Sequence, residues 1–137
     1  MKSNKTIKNI TAVCVFAVSI NSLADAPSPN ANEKSCLISG EITLYGNKIN
    51  VKDCMKLNEV PASKVKQICE KTLKTGSFGE KGLSLSYSKN CPKIGSQGAC
   101  LGLKYEGTDM NAYYYNRDKS TLPAMVSACK AQGDIWK

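Results

Sequence analysis

The chain contains no histidine, and its 137 residues include one arginine and one tryptophan. Without histidine, the Ser-His-Asp and Cys-His nucleophile pairs of common hydrolases are unavailable, as is imidazole acid–base catalysis near neutral pH. No Cys-x-x-Cys pair occurs, which disfavours a thioredoxin-like redox site and a zinc site built on closely spaced thiolates. We therefore expect no metal, no cofactor and no enzymatic activity.

Basic residues are numerous, but nearly all of them are lysine. Lys and Arg total 19 against 11 Asp and Glu, which gives a formal net charge of +8, and Arg117 is the only arginine. Proteins that bind nucleic acids usually contact them with arginine side chains and with clustered basic residues on one surface. The scattered lysines of this chain therefore disfavour a nucleic-acid partner. Weak association with an anionic envelope surface stays open as an alternative.

Residues 1–24 have the composition of a secretory signal peptide. Three lysines and no acid come first, an apolar run fills residues 10–20, and Ala24 is a suitable cleavage position because Pro27 does not directly follow the cut. The apolar run is too short for a permanent membrane anchor, which needs ~20 apolar residues. We expect export to the periplasm or the medium, with no transmembrane segment after cleavage. Lipidation at Cys14 is an alternative that the residues before it disfavour.

Cleavage after Ala24 removes three lysines and no acid, so the formal charge of the mature chain is +5. Residues 25–34 contain two prolines and no apolar periodicity, which predicts a disordered leader. Residues 35–137 are too few for two independent cores and predict one domain.

The domain contains strand patterns grouped into hairpins. Short β-rich or alternating segments occur at residues 36–45, 49–51, 83–88, 101–105 and 112–116. The first two are joined by a predicted Gly46-Asn47 turn, and the last two by the turn residues 106–109.

Two helices are predicted, at residues 61–74 and 122–132. The first can begin at Pro61, and it carries an apolar stripe at three- and four-residue spacings: Ala62, Val65, Ile68, Cys69 and Leu73. Thr121 is expected to cap the second helix and Gly133 to end it.

Six cysteines remain after cleavage, an even number that predicts three structural disulfides in an exported chain. They are Cys36, Cys54, Cys69, Cys91, Cys100 and Cys129. Spacing alone leaves all 15 connectivities open. The three bonds would supply much of the stability of so small a core, so reduction should unfold the domain.

The cysteines also indicate a weak internal duplication. A helical cysteine followed by a glycine and an aromatic residue occurs twice, ending at Phe78 and at Trp136, and each helix follows two further cysteines. Because each set then holds three cysteines, at least one bond must join the two sets. The predicted fold class is therefore α+β, a disulfide-stabilised antiparallel sheet of about five strands with two helices and a possible internal duplication.

The acidic residues lie in polar surroundings and are predicted to be surface groups. Eight of the eleven are candidates for catalysis: Glu41, Asp53, Glu59, Glu70, Glu80, Glu106, Asp109 and Asp118. A catalytic acid with a raised pKa needs an apolar pocket, so a two-carboxylate hydrolase is disfavoured. The glycine-rich residues 76–82 lack the Gly-Lys-Ser/Thr ending of a phosphate loop and predict a flexible connector.

The most unusual stretch is Tyr113, Tyr114 and Tyr115, followed by Asn116 and Arg117. In a strand, Tyr114 points to one face and its two neighbours to the other. The run could fill the core, or it could form an aromatic platform for a protein or glycan, with Asn116 and Arg117 supplying polar contacts. We take these five residues as the candidate binding surface.

Several short motifs together resemble a pattern in small exported bacterial Cys-rich proteins whose activities are largely uncharacterised. They are Cys91-Pro92, Gly98-Ala99-Cys100, the tyrosine run, Ala128-Cys129 and Gly133-Asp134-Ile135-Trp136. The resemblance implies export and a disulfide framework, and it supplies no catalytic residues. The sequence therefore predicts an exported interaction or envelope protein; the alternative is a small secreted effector or toxin, including a carboxylate-dependent hydrolase.

Overall fold

The computed structural model describes residues 27–75 and 81–137. The predicted signal peptide with Cys14, the first two residues of the predicted leader, and Phe78 with most of the glycine-rich connector lie outside the described residues. Residues 27–34 form no helix or strand, and Lys34 donates a hydrogen bond to the carbonyl of Val60. No helix in the described ranges has the length and apolar content needed to cross a membrane.

The described chain forms an α+β fold, which confirms the predicted class. Its elements are β1 (Ser35–Leu44), β2 (Asn47–Leu57), α1 (Ala62–Thr75), β3 (Leu83–Ser88), β4 (Gly98–Tyr105), β5 (Thr108–Tyr114), α2 (Leu122–Ala131) and β6 (Ile135–Trp136). The predicted number of about five strands was one too low. The additional strand, β6, has two residues, too few to show an alternating pattern in the sequence.

Both hairpins turn on residues with a left-handed backbone. The φ angles are 50° at Tyr45 and 80° at Gly46 in the first turn, and 48° at Glu106 and 75° at Gly107 in the second. Positive φ at both central residues is the geometry of a type I′ turn, whose twist matches that of the flanking strands. The predicted Gly46-Asn47 turn is wrong by one residue, because Asn47 already belongs to β2.

The sheet consists of two similar halves. Its strand order is β3-β1-β2-β5-β4-β6, and every neighbouring pair is antiparallel. In each half a hairpin is followed by a helix and by a strand that returns to the outer side of the hairpin's first strand. The halves meet along β2 and β5, so an approximate two-fold axis passes between these strands. This topology has the symmetry that the predicted duplication requires.

One row of cross-strand neighbours runs through all six strands: Tyr87, Cys36, Met55, Ala112, Cys100 and Trp136. Directly opposite residues of an antiparallel pair share a face, so the row places its two cysteines on the same face. These are bonded to Cys69 of α1 and Cys129 of α2, and both helices therefore lie on that face, called here the helix face. Tyr87 and Trp136 lie at the two ends of this row, so they occupy equivalent positions in the two halves of the sheet. The predicted duplication assigns that position to Phe78 instead.

The two helices form where they were predicted, but they are buried to different extents. α1 buries three residues of its apolar stripe: Val65, Ile68 and Cys69. α2 buries only Cys129. Thr121 occupies the N-cap position of α2 as predicted, but its hydroxyl donates to the carbonyl of Asp118 and makes no cap hydrogen bond.

All six predicted cysteines are paired, as Cys36–Cys69, Cys54–Cys91 and Cys100–Cys129. The first and third bonds attach each helix to the first strand of its own half. The second joins β2 to the segment before β4, so it is the predicted bond between the two sets. Three such bonds are typical of an oxidising environment outside the cytoplasm.

Candidate functional site

The helix face contains an apolar cavity of about 260 Å³ over the middle of the sheet. It exists because α1 packs on β1 and β3 while α2 packs on β4 and β6, so that neither helix packs closely on the central strands. We call this hollow the apolar cavity. Its main apolar lining residues are Val51, Met55, Leu73, Leu103, Met110 and Ala112.

Asp53 lies at the side of the apolar cavity, opposite Tyr114 of β5. The prediction that Asp53 is a surface group is therefore wrong. Burial raises the pKa of its carboxyl group, and the positive charge of Arg117 opposes part of that rise. Arg117 Nη2 donates to Asp53 Oδ2, while Asp53 Oδ1 and Arg117 Nε are buried without a hydrogen-bond partner among the described residues. The hydrogen bonds of this ion pair therefore do not fully offset the free-energy cost of removing its charges from water.

Two aromatic rings lie beside this ion pair. Tyr114 and Trp136 stack with ring centroids 5.7 Å apart and planes 12° apart, and the Arg117 guanidinium lies 5.6 Å from the Tyr114 centroid. Gly98 makes room for the indole, because a Cβ there would meet the Trp136 ring at 2.3 Å. Burial, and secondarily the charge of Asp53, raises the pKa of the Tyr114 hydroxyl.

The tyrosine run alternates as predicted, but most of its surface is covered. Tyr115 is 1% exposed and packs with the Cys54–Cys91 bond on the face opposite the helices, where its hydroxyl donates to the carbonyl of Pro92. Tyr113 is partly buried against the same cluster. Tyr115 is therefore a core residue, which corrects its predicted place in a binding surface.

Tyr115→Phe is expected to lower the free energy of unfolding by about 1 kcal/mol, because it removes one hydrogen bond and keeps the ring. Tyr115→Ser also removes the ring and should lower it by roughly 3–5 kcal/mol. Urea unfolding of the oxidised protein measures both. Small losses in both variants would show that Tyr115 is not core.

Asn116 and Arg117 line a second, more open and more polar hollow beside the start of β2, called here the polar cleft. Asn116 has a φ of 39°, a left-handed conformation that Asn adopts more readily than most residues. Arg117 belongs to both hollows, since it lines the polar cleft and pairs with Asp53 at the side of the apolar cavity. The structure thus brings Arg117 and Tyr114 together and separates them from Tyr113 and Tyr115.

The apolar cavity presents an apolar lining with one carboxylate at its side. Asp53 is the one carboxylate among its described lining residues, whereas two-carboxylate glycoside hydrolysis needs a second acid ~5–9.5 Å away. The described ranges hold no group of three or more His, Cys, Asp or Glu that could bind a metal ion. An apolar lining with one ion pair suits a ligand with an apolar body and a polar end.

One sequence signal locates Asp53 correctly. In β2, Val51, Asp53, Met55 and Leu57 alternate, which places the aspartate on the same face as three apolar residues. Its ion-pair partner has no local signal, because 64 residues separate Arg117 from Asp53.

No protein-family model, no curated protein and no solved structure matches the chain. The resemblance to small exported Cys-rich proteins therefore stays a prediction from short motifs. What the site can do has to be inferred from its own geometry.

Proposed function

We propose that the mature chain is an exported binding protein that holds a small, mainly apolar molecule in the apolar cavity. The observation that carries the proposal is the lining, which is apolar apart from Thr72, Tyr113, Tyr114 and Asp53, the partner of Arg117. Small-molecule sites are concave and mostly apolar, with a few polar groups that orient the ligand. A volume of about 260 Å³ exceeds the ~150 Å³ of a hollow that binds benzene and falls just below the ~300 Å³ at which drug-sized sites begin.

Two further observations support the proposal. Three disulfides suit an exported chain, in the periplasm or the medium, in agreement with the predicted signal peptide. A protein or glycan on the tyrosine run is less well supported, because Tyr115 is buried and one side of Tyr114 stacks on Trp136. We therefore favour a small ligand on the helix face.

A series of straight-chain alcohols tests the proposal. Affinity should rise about fourfold for each added methylene, the factor that corresponds to ~0.8 kcal/mol per buried CH₂. The rise should stop when the chain fills the apolar cavity. Calorimetric titration measures the affinities, and amide chemical shifts at Met110 and Ala112 locate the bound alcohol.

Ala112→Leu tests whether the alcohols bind in the apolar cavity. The larger side chain occupies part of the cavity, so the longest alcohols should lose affinity and the rise should stop at a shorter chain. Ala128→Leu makes the same change on the exposed surface of α2 and should leave the series unchanged. The proposal fails if alcohol binding does not saturate, or if the two variants bind alike while both remain folded.

A carboxylate-dependent hydrolase is the second candidate, and the raised pKa of Asp53 is the observation that favours it. Asp53→Asn separates the two functions, because it removes a proton donor and keeps the side-chain shape. A hydrolase would lose its turnover of p-nitrophenyl glycosides, whereas a binding protein would have none to lose and would still bind alcohols.

A further inference from the structure

β3 forms one edge of the sheet, and within its own residues it lacks the charges and prolines that usually protect an edge strand. It pairs with β1 on one side only. Its sequence, Leu83–Ser88, contains no charged residue and no proline. Such an edge presents unpaired backbone N–H and C=O groups along its outer side and can pair with another strand.

The opposite edge of the sheet is protected. β6 has two residues, which pair with Cys100 and Leu101 of β4, and Lys137 after it exchanges two backbone hydrogen bonds with Ala99. The register of β4 then shifts between Cys100 and Leu103, and the charged pair of Lys104 and Asp109 follows. Short strands, bulges and charges are the devices that block edge pairing. With one open edge, association through backbone pairing closes as a two-fold dimer and does not continue into a filament.

We propose that β3 pairs antiparallel with β3 of a second copy of this chain, about a two-fold axis at Leu85. In this register Leu85 lies opposite the partner's Leu85, and Leu83 lies opposite the partner's Tyr87, so apolar residues meet on the helix face. Ser84 lies opposite the partner's Ser86 on the other face. An axis at Ser86 would bring fewer apolar residues together, because Leu83 would lie opposite Lys89 of the second copy instead of Tyr87.

The occupant is a second copy because the strand is complementary to itself. Leu83, Leu85 and Tyr87 are partly buried in one copy, and the second copy would cover them further. Among the described residues, no strand pairs with the outer side of β3.

Two lysines flank β3 and give the dimer a salt dependence. The axis at Leu85 sets Lys81 opposite the partner's Lys89, and both lysines are exposed. Their repulsion opposes association and is screened by salt, so the dimer should tighten as ionic strength rises.

The test is sedimentation equilibrium of the oxidised mature protein at about 0.15 M and about 0.5 M NaCl. We expect a monomer–dimer equilibrium whose Kd falls at the higher salt concentration. In S84K/S86K, like charges meet across the interface, and the Kd should rise at least about tenfold. In S84K/S86E, opposite charges meet, and the dimer should persist.

The two variants are matched, because both lose the hydrogen bond from Ser84 to the Ser39 carbonyl and they differ only in the charge at position 86. Thermal unfolding of dilute samples checks that both are folded. Three results would overturn the proposal: a monomer at every concentration up to about 1 mM, species larger than a dimer, or equal weakening by both variants. An axis at Ser86 would weaken S84K/S86E as well, because like charges would then face each other at position 86.

Discussion

The variant C36A/C69A is expected to lose roughly 3–5 kcal/mol of unfolding free energy, which is a large part of the stability of a small domain. The bond joins residues 33 apart, and closing a loop of that length accounts for roughly 3–4 kcal/mol on chain entropy alone. Both cysteines are fully buried with Val65 and Ile68, so their loss also loosens the contact between α1 and β1. Urea unfolding followed by circular dichroism measures the loss.

The variant C100A/C129A is the matched control. Its bond joins residues 29 apart, so the change in chain entropy is nearly the same. α2, however, buries only Cys129, and little packing depends on its position. We expect a loss of roughly 3–4 kcal/mol, close to the chain-entropy part alone, with helical signal lost before the sheet unfolds. Equal losses in the two variants would mean that α1 is held by its disulfide alone and that its packing contributes nothing.

Removing the charge of Arg117 is expected to have the second largest effect. Arg117→Met keeps much of the aliphatic side chain and leaves the Asp53 carboxylate without its partner. Breaking a buried ion pair costs about 3–5 kcal/mol, and because this pair is partly exposed we expect roughly 1–3 kcal/mol at pH 7.

The effect of Arg117→Met should depend on pH. The folded pKa of Asp53 is raised above its ordinary value of 3.8, so the folded protein holds this proton more tightly than the unfolded chain does. The resulting stability is present below the unfolded pKa and is lost as pH rises through the folded pKa. Arg117 lowers that folded pKa, so Arg117→Met raises it further. The deficit of the variant should be complete at neutral pH and should shrink as the solution is acidified.

The double variant D53N/R117M supplies the control for this explanation. With no carboxylate left, the pH-dependent part of the deficit should disappear, and most of the lost stability at pH 7 should return. Urea unfolding at several pH values between 4 and 7 measures both variants. A deficit in Arg117→Met that is constant with pH would show that lost packing on Tyr114, and not the charge, explains the effect.

Elements that follow from local periodicity could be predicted from the sequence. The alternation of Leu83, Leu85 and Tyr87 is enough to locate β3, and the three- and four-residue spacing of Val65, Ile68 and Cys69 is enough to locate α1. In both elements the apolar residues lie on one face, and that face has to be buried whichever part of the chain covers it. The disulfide pairs could not be predicted, because they depend on which face of the sheet each helix occupies.

The candidate site was harder to predict because its parts come from distant segments. Alternation places Tyr113 and Tyr115 on one face and Tyr114 on the other, but it does not show that Cys91 and Trp136 cover them. Asp53 has polar neighbours in sequence and apolar neighbours in the sheet. Only the pairing of β2 with β5 brings it to the apolar cavity.

The register of the first hairpin has a consequence for oxidation. Cys36 and Cys54 are the first two cysteines of the described residues, and an oxidant that acted on these cysteines in the order of the chain would join them. In the hairpin they are on adjacent strands but not opposite each other, because Cys36 faces Met55 and Cys54 faces Leu37. Their side chains therefore point to opposite faces of the sheet, and a bond between them is incompatible with the folded hairpin.

The type I′ turn at Tyr45 and Gly46 sets this register. With this turn formed, Cys36 lies on the face where α1 carries Cys69, and a bond between Cys36 and Cys54 is excluded. A chain whose turn slips by one residue would move Cys54 to the side of Cys36 and could trap the wrong pair. The bonds Cys36–Cys69 and Cys54–Cys91 overlap along the chain, so the register set by two turn residues separates cysteines that their order along the chain would bring together.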